Sequence, residues 1–180
     1  MTEVVQYVIT LTASDRPGIV DKVAETVARF HGNWLESTMT RLAGQFAGIT
    51  LVSLPANEAD AFLQAVNALG TEGINASCER CDAGAASTHN VNAITDGNLQ
   101  QIELVGSDRP GIVKQLSELL KTLNVNVERI ETSRQAGSMS GSPLFTAKAL
   151  ISLPQELPSN TLAERLEVLS SDLQVSLESL

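Results

Sequence analysis

The sequence predicts an α+β chain of two ferredoxin-like βαββαβ domains in tandem, each an antiparallel four-stranded sheet with two helices on one face. Two observations carry this expectation. The heptapeptide Ser-Asp-Arg-Pro-Gly-Ile-Val occurs twice, at 14–20 and 107–113, so the unit of architecture is a repeat. Around each copy the apolar pattern switches between a period of two and a helical period, in the order strand, helix, strand, strand, helix, strand. Short connections and right-handed crossovers then favour the ferredoxin-like sandwich.

The match reaches well beyond the motif. Ile9 and Leu11 align with Ile102 and Leu104, Glu25 with Glu118, Asn33 with Asn126, and Arg41 with Arg134. Further on, Phe46 aligns with Phe145 and Ser53-Leu54-Pro55 with Ser152-Leu153-Pro154, so the second copy carries extra residues. They fall at 136–141, Ala-Gly-Ser-Met-Ser-Gly, a turn-forming composition that suits a lengthened hairpin loop.

The elements follow in order. Residues 4–11 and 99–105 read as first strands whose core faces carry Ile9/Leu11 and Ile102/Leu104. Behind each motif, Ile19, Val23, Val27 and Phe30, or Ile112, Leu116, Leu119, Leu120 and Leu123, form an apolar helical stripe, with Asp21, Lys22, Glu25 and Arg29 on the other side. Pro17 and Pro110 are expected in the first helical turn, where a missing N–H costs nothing. Gly32 with Asn33 is expected to end the helix; the second copy has Val125 in that place, so Asn124 must serve as its turn residue.

Two strands come next, at 33–43 and 46–54, joined by a turn at Ala43-Gly44. Phe46, Thr50, Val52 and Leu54 share one face, as do Phe145, Ala149, Ile151 and Leu153. On the opposite face Lys148 replaces Ile49 and Glu103 replaces Thr10, which marks that face as solvated. A second amphipathic helix carries Ala59, Phe62, Leu63, Val66 and Leu69, matched by Leu162, Leu166 and Leu169, before a closing strand at 74–80 or 174–177. Residues 83–97 have no periodicity and read as a linker between a first domain at 1–82 and a second at 98–180. The helix-free faces, with Val4, Val8, Ile49 and Leu51, and the sheet edges invite packing by the other domain or by a second copy as a homo-oligomer.

Composition narrows the function classes. With 43% apolar and 18% charged residues among 180, and no apolar run of membrane-spanning length, no membrane association is expected. The N-terminus lacks a secretory layout and two cysteines make no disulfide framework, so a cytoplasmic location is expected. A net charge of −9 and 3% aromatic residues argue against a direct grip on nucleic acid, including base stacking on the sheet. The second copy even has Gln100 where the first has Tyr7.

Catalysis and metal binding find little support. Cys78 and Cys81, three apart in a strand, point to opposite faces, and no histidine cluster completes a metal site. His31 and His89 have no counterparts in the other copy, and Ser14 and Ser107 have no base at a repeated position. The chain is therefore expected to be no enzyme and to need no cofactor.

The motif itself has a chemistry. Gly18 and Gly111 sit where a strand hands over to a helix, and the helix start offers unpaired N–H groups for an anion. Arg16 and Arg109 add positive charge, while Asp15 and Asp108 are free either to accept from an ammonium group or to cap the helix. Such a set suits a small zwitterion, with Asn33 and Asn126, at the opposite end of the first helix where the second strand begins, as neutral partners from an adjoining domain. The alternative is a purely structural strand-to-helix turn.

A β-strand followed by Asp-Arg-Pro-Gly-Ile-Val, at 15–20 and 108–113, inside a βαββαβ unit resembles the ACT domain, a regulatory module of amino-acid metabolism. Two such units in tandem resemble the bacterial glycine cleavage system transcriptional repressor group. The resemblance implies ligand-facing positions at Asp15, Arg16, Pro17, Gly18, Ile19 and Val20, and at Asp108, Arg109, Pro110, Gly111, Ile112 and Val113, with Asn33 and Asn126 added. It implies a small amino acid as ligand, glycine being a candidate, and repression exerted through a protein partner that is a transcription factor. The alternative is a regulatory subunit docked on a metabolic enzyme.

Overall fold

A computed structural model of the chain describes residues 3–81, 99–135, 143–168 and 173–179. The chain divides into two compact units, each with its own four-stranded sheet. The first unit runs β1 (Val4–Ser14), α1 (Ile19–Arg29), β2 (Asn33–Leu42), β3 (Gln45–Pro55), α2 (Ala59–Ala68) and β4 (Ile74–Cys81), with 3₁₀ turns at Ala56–Glu58 and Leu69–Glu72 flanking α2. The second runs β5 (Leu99–Ser107), α3 (Ile112–Thr122), β6 (Asn126–Gln135), β7 (Leu144–Ser152), α4 (Ser159–Glu167) and β8 (Gln174–Ser179). Strand orders are β2-β3-β1-β4 and β6-β7-β5-β8, with every pair antiparallel. This is the ferredoxin-like fold that the periodicities anticipate. The linker at 83–97, the insertion at 136–141, His89 and Leu169 lie outside the described residues.

Alternation along the central strands builds each core. Val5, Tyr7, Ile9, Leu11 and Ala13 of β1 are buried with Val52 and Leu54 of β3, and meet Ile19, Val23 and Val27 of α1 and Phe62 and Val66 of α2. Phe62 is fully enclosed, its ring 6.0 Å from that of Tyr7 and 5.9 Å from that of Phe30. The second core substitutes aliphatic residues, centred on Ile102, Leu104, Ile151, Leu162 and Leu166. Gln100, at the Tyr7 position, is buried and donates through Nε2 to Ser159 Oγ at the start of α4. That bond satisfies the NH2 end of the buried amide, while its Oε1 is buried without a hydrogen-bond partner among the described residues.

Both edge strands β2 and β6 carry a bulge at the same place. Their register shifts between Trp34 and Glu36, and between Val127 and Arg129, leaving Leu35 and Glu128 as the extra residues. A bulge twists an edge away from unwanted pairing.

Two expectations about the first helix need correction. Pro17 and Pro110 are not in its first turn: α1 and α3 begin at Ile19 and Ile112, with Gly18 and Gly111 as N-caps. These glycines are left-handed, at φ 91 and ψ 0 and at φ 86 and ψ 2. Arg-Pro-Gly-Ile is thus a type II turn with proline second and glycine third, where a positive φ is required. In the second unit Ile112 N closes it on Arg109 O at 3.4 Å.

Nor is Gly32 the residue that turns the helix end. His31 is left-handed at φ 55, and Asn124 takes the same role at φ 53, as expected for the second copy. The bonds Gly32 N to Val27 O (3.0 Å) and His31 N to Ala28 O (3.0 Å) form a Schellman motif, repeated by Val125 N to Leu120 O (2.9 Å) and Asn124 N to Lys121 O (3.0 Å). Gly32 is needed for space instead: a Cβ there would stand 2.8 Å from Val27 Cγ1 and 2.9 Å from Val27 O.

Candidate functional site

Each motif loop is pinned to its own β-hairpin by two bonds. Asp15 N donates to Gly44 O and Asp108 N to Pro143 O, both at 2.9 Å. The carboxylates bond the same hairpins: Arg41 Nη1 lies 3.2 Å from Asp15 Oδ2, and Arg134 Nε 2.7 Å from Asp108 Oδ2. The aspartates are therefore not helix caps, and neither Gly18 nor Gly111 receives a side-chain capping bond. Arg41 and Arg134 were visible as a repeated pair in sequence. Their pairing with the motif was not, because it depends on the antiparallel register that brings Ser14 opposite Gln45 and Arg41 opposite Phe46.

The other motif residues take distinct directions. Ile19 and Ile112 are buried and anchor the helix starts in the cores, whereas Val20 and Val113 remain 44% exposed. A Cβ placed on Gly18 or Gly111 would meet nothing within 4 Å, so the backbone at each turn is open to solvent. Arg16 donates through Nη2 to the carbonyl of Glu72. Lys22 sits 3.4 Å from carboxylate oxygens of both Glu72 and Glu25. Its hydrogen bond to Glu72 and the nearby charge of Glu25 hold its pKa above the usual lysine value. Arg109 borders a narrow cleft with Ile112, Gln115, Phe145 and Leu173.

Asn33 and Asn126 are not brought to the motif of their own unit. They open β2 and β6, beyond the far end of a helix of 11 residues, which spans about 16 Å. Asn126 Nδ2 donates to Glu128 Oε1 at 2.6 Å. Beside it lies an open cleft of about 320 Å³ lined by Ser117, Leu120, Lys121, Asn124 and Val127 among others.

Cys78, opposite Ile9 on the core face of β4, is half-buried, and that burial, with Cys81 adding to it, pushes its thiol up to about 11. Cys81 pairs with Gln6 on the other face, and both thiols are free. Among the described residues no three His, Cys, Asp or Glu side chains are placed to hold a metal ion. Among them also, no helix is long and apolar enough to cross a membrane.

Comparison with known proteins agrees with the fold. The sequence model of the ACT domain matches residues 6–73 and again 99–179. No curated protein matches the chain. A crystal structure of a protein of unknown role from Galdieria sulphuraria is 25% identical, with 99% of each chain covered and a TM-score of 0.82. That of a provisionally named glycine cleavage system transcriptional repressor is 18% identical, with 98% of each chain covered and a TM-score of 0.70. At that identity the second likeness speaks for the fold alone. With the family's pattern found twice, and with the sheet order and helix placement of the fold in both units, the chain belongs to the ACT domain family.

Proposed function

We propose that the protein is a non-catalytic regulator that senses a small amino acid, glycine first among the candidates, at its motif loops and modulates transcription through a partner regulator. The observation that carries the reading is the form of the loop: a left-handed glycine exposes the backbone, and the helix behind it starts without a side-chain cap. The ligand carboxylate is received by the first-turn amides, Val20 and Asp21 in α1 and Val113 and Lys114 in α3, where the helix dipole favours negative charge. Each site comprises residues 15–20 or 108–113, with the backbone amide of Asp21 or Lys114 completing it. The similar fold of the provisionally named repressor supplies the setting in which glycine is the first ligand to test.

A thermal-shift screen over the common amino acids tests the sensing step, because a ligand that binds only the folded state raises its stability by mass action. A dose-dependent rise with one small amino acid supports it; no rise with any refutes it. Recovery of the native partner separates the two regulatory readings. A transcription factor supports the proposal, and an amino-acid biosynthetic enzyme replaces it with a regulatory subunit.

A further inference from the structure

The motif aspartate is matched by an arginine from the hairpin in both units, although the two hairpins differ. The first closes through the two-residue turn Ala43-Gly44, left-handed at φ 49 and 77. The second returns through a longer connection and offers Pro143 O where the first offers Gly44 O. Despite this, Arg41 opposite Phe46 and Arg134 opposite Phe145 occupy the same register position and bond the same carboxylate. The aspartate side chains are 30% and 28% exposed, against 72% and 68% for the arginines. The carboxylates are thus the more sheltered members.

We propose that Arg41 and Arg134 are positioning and specificity-determining residues of the motif loops: each holds its aspartate in an internal ion pair, and so denies that carboxylate to the amine of a ligand. The inference rests on the ligand reading above for its biological sense, but not for its chemistry. An unpaired aspartate beside an open glycine turn would attract any small ammonium compound. Paired, it braces the loop and leaves the helix-start amides as the recognition element, which selects for a carboxylate. The brace is modest in energy, since pairs at this exposure contribute little to stability. Its effect is on selectivity and local order.

The test compares the full-length wild type with the Arg41→Ala/Arg134→Ala and Arg41→Lys/Arg134→Lys variants, using glycine and glycinamide as calorimetric probes. Glycinamide keeps the amine and lacks the carboxylate. The alanine variant is expected to bind glycinamide more tightly than the wild type does, and the lysine variant to restore the wild-type preference. Amide hydrogen exchange at 14–22 and 107–115 is expected to rise roughly two- to fivefold in the alanine variant, the range for loss of an exposed pair. Unchanged glycinamide affinity in that variant, or unchanged exchange in both loops, overturns the inference. If glycine binds no variant while glycinamide and exchange respond as expected, the amino-acid reading fails and this inference stands.

Discussion

Lys148 Nζ lies 3.2 Å from Glu103 Oε1 across β5 and β7, at the register position where the first sheet sets Ile49 against Thr10. The helix-free faces of the two sheets therefore differ in kind. One exposes Val4 and Ile49, at 57% and 53%, and the other closes the equivalent site with an ion pair.

Converting the pair to its first-unit counterpart, Glu103→Thr with Lys148→Ile, is expected to change unfolding free energy by no more than about 1 kcal/mol, because both side chains are well exposed. Urea unfolding measures it. A loss several times larger would mean that the pair is desolvated in the folded protein.

Gly32 and Val125 offer a reciprocal test of the helix ends. Gly32→Val is expected to cost about 1–3 kcal/mol through overpacking against Val27. Val125→Gly is expected to cost about 1.5–3 kcal/mol through lost burial. Equilibrium unfolding of both variants checks this. A stabilised Gly32→Val protein would contradict the contact geometry at that turn.

The pattern of burial was legible in sequence because alternation and helical stripes depend on neighbours close along the chain. Lys148 and Glu103 marked the outer face for the same reason, as did Asn124 as the turn residue of a helix whose glycine position holds valine. Pro17 misled: a proline before a helix fits its first turn, but the following glycine draws it into a type II turn one step earlier. Gly32 misled too, since it is small to clear Val27 rather than to adopt a left-handed backbone. At the candidate site the motif was evident, but Arg41 was only a matched residue until sheet register brought it to Asp15. The bond from Arg16 to the Glu72 carbonyl joins residues 56 apart, a contact that no local pattern encodes.

Cys78 and Lys22 set an alkaline limit. The folded state keeps the Cys78 proton up to about pH 11, while the unfolded chain releases it near the ordinary thiol value of 9.0. Between those values the unfolded state binds fewer protons, so stability falls as pH rises. Lys22, raised by Glu72 and Glu25, adds a contribution that is present below its ordinary value of 10.5 and lost as pH rises through the raised one. Cys78→Ser is expected to flatten the decline of the thermal midpoint between pH 9 and 11. An unaltered slope would assign the decline to other groups.

The most direct test of the central claim is a titration with the common amino acids, glycine first, followed on the backbone amide resonances of the ¹⁵N-labelled protein. The expected result is saturable shifts concentrated at Gly18–Asp21, at Gly111–Lys114, or at both, with the rest of each sheet unmoved. Shifts centred on the cleft at Asn124–Val127, or no shifts with any amino acid, would contradict it and leave the Asp-Arg-Pro-Gly loops as structural turns.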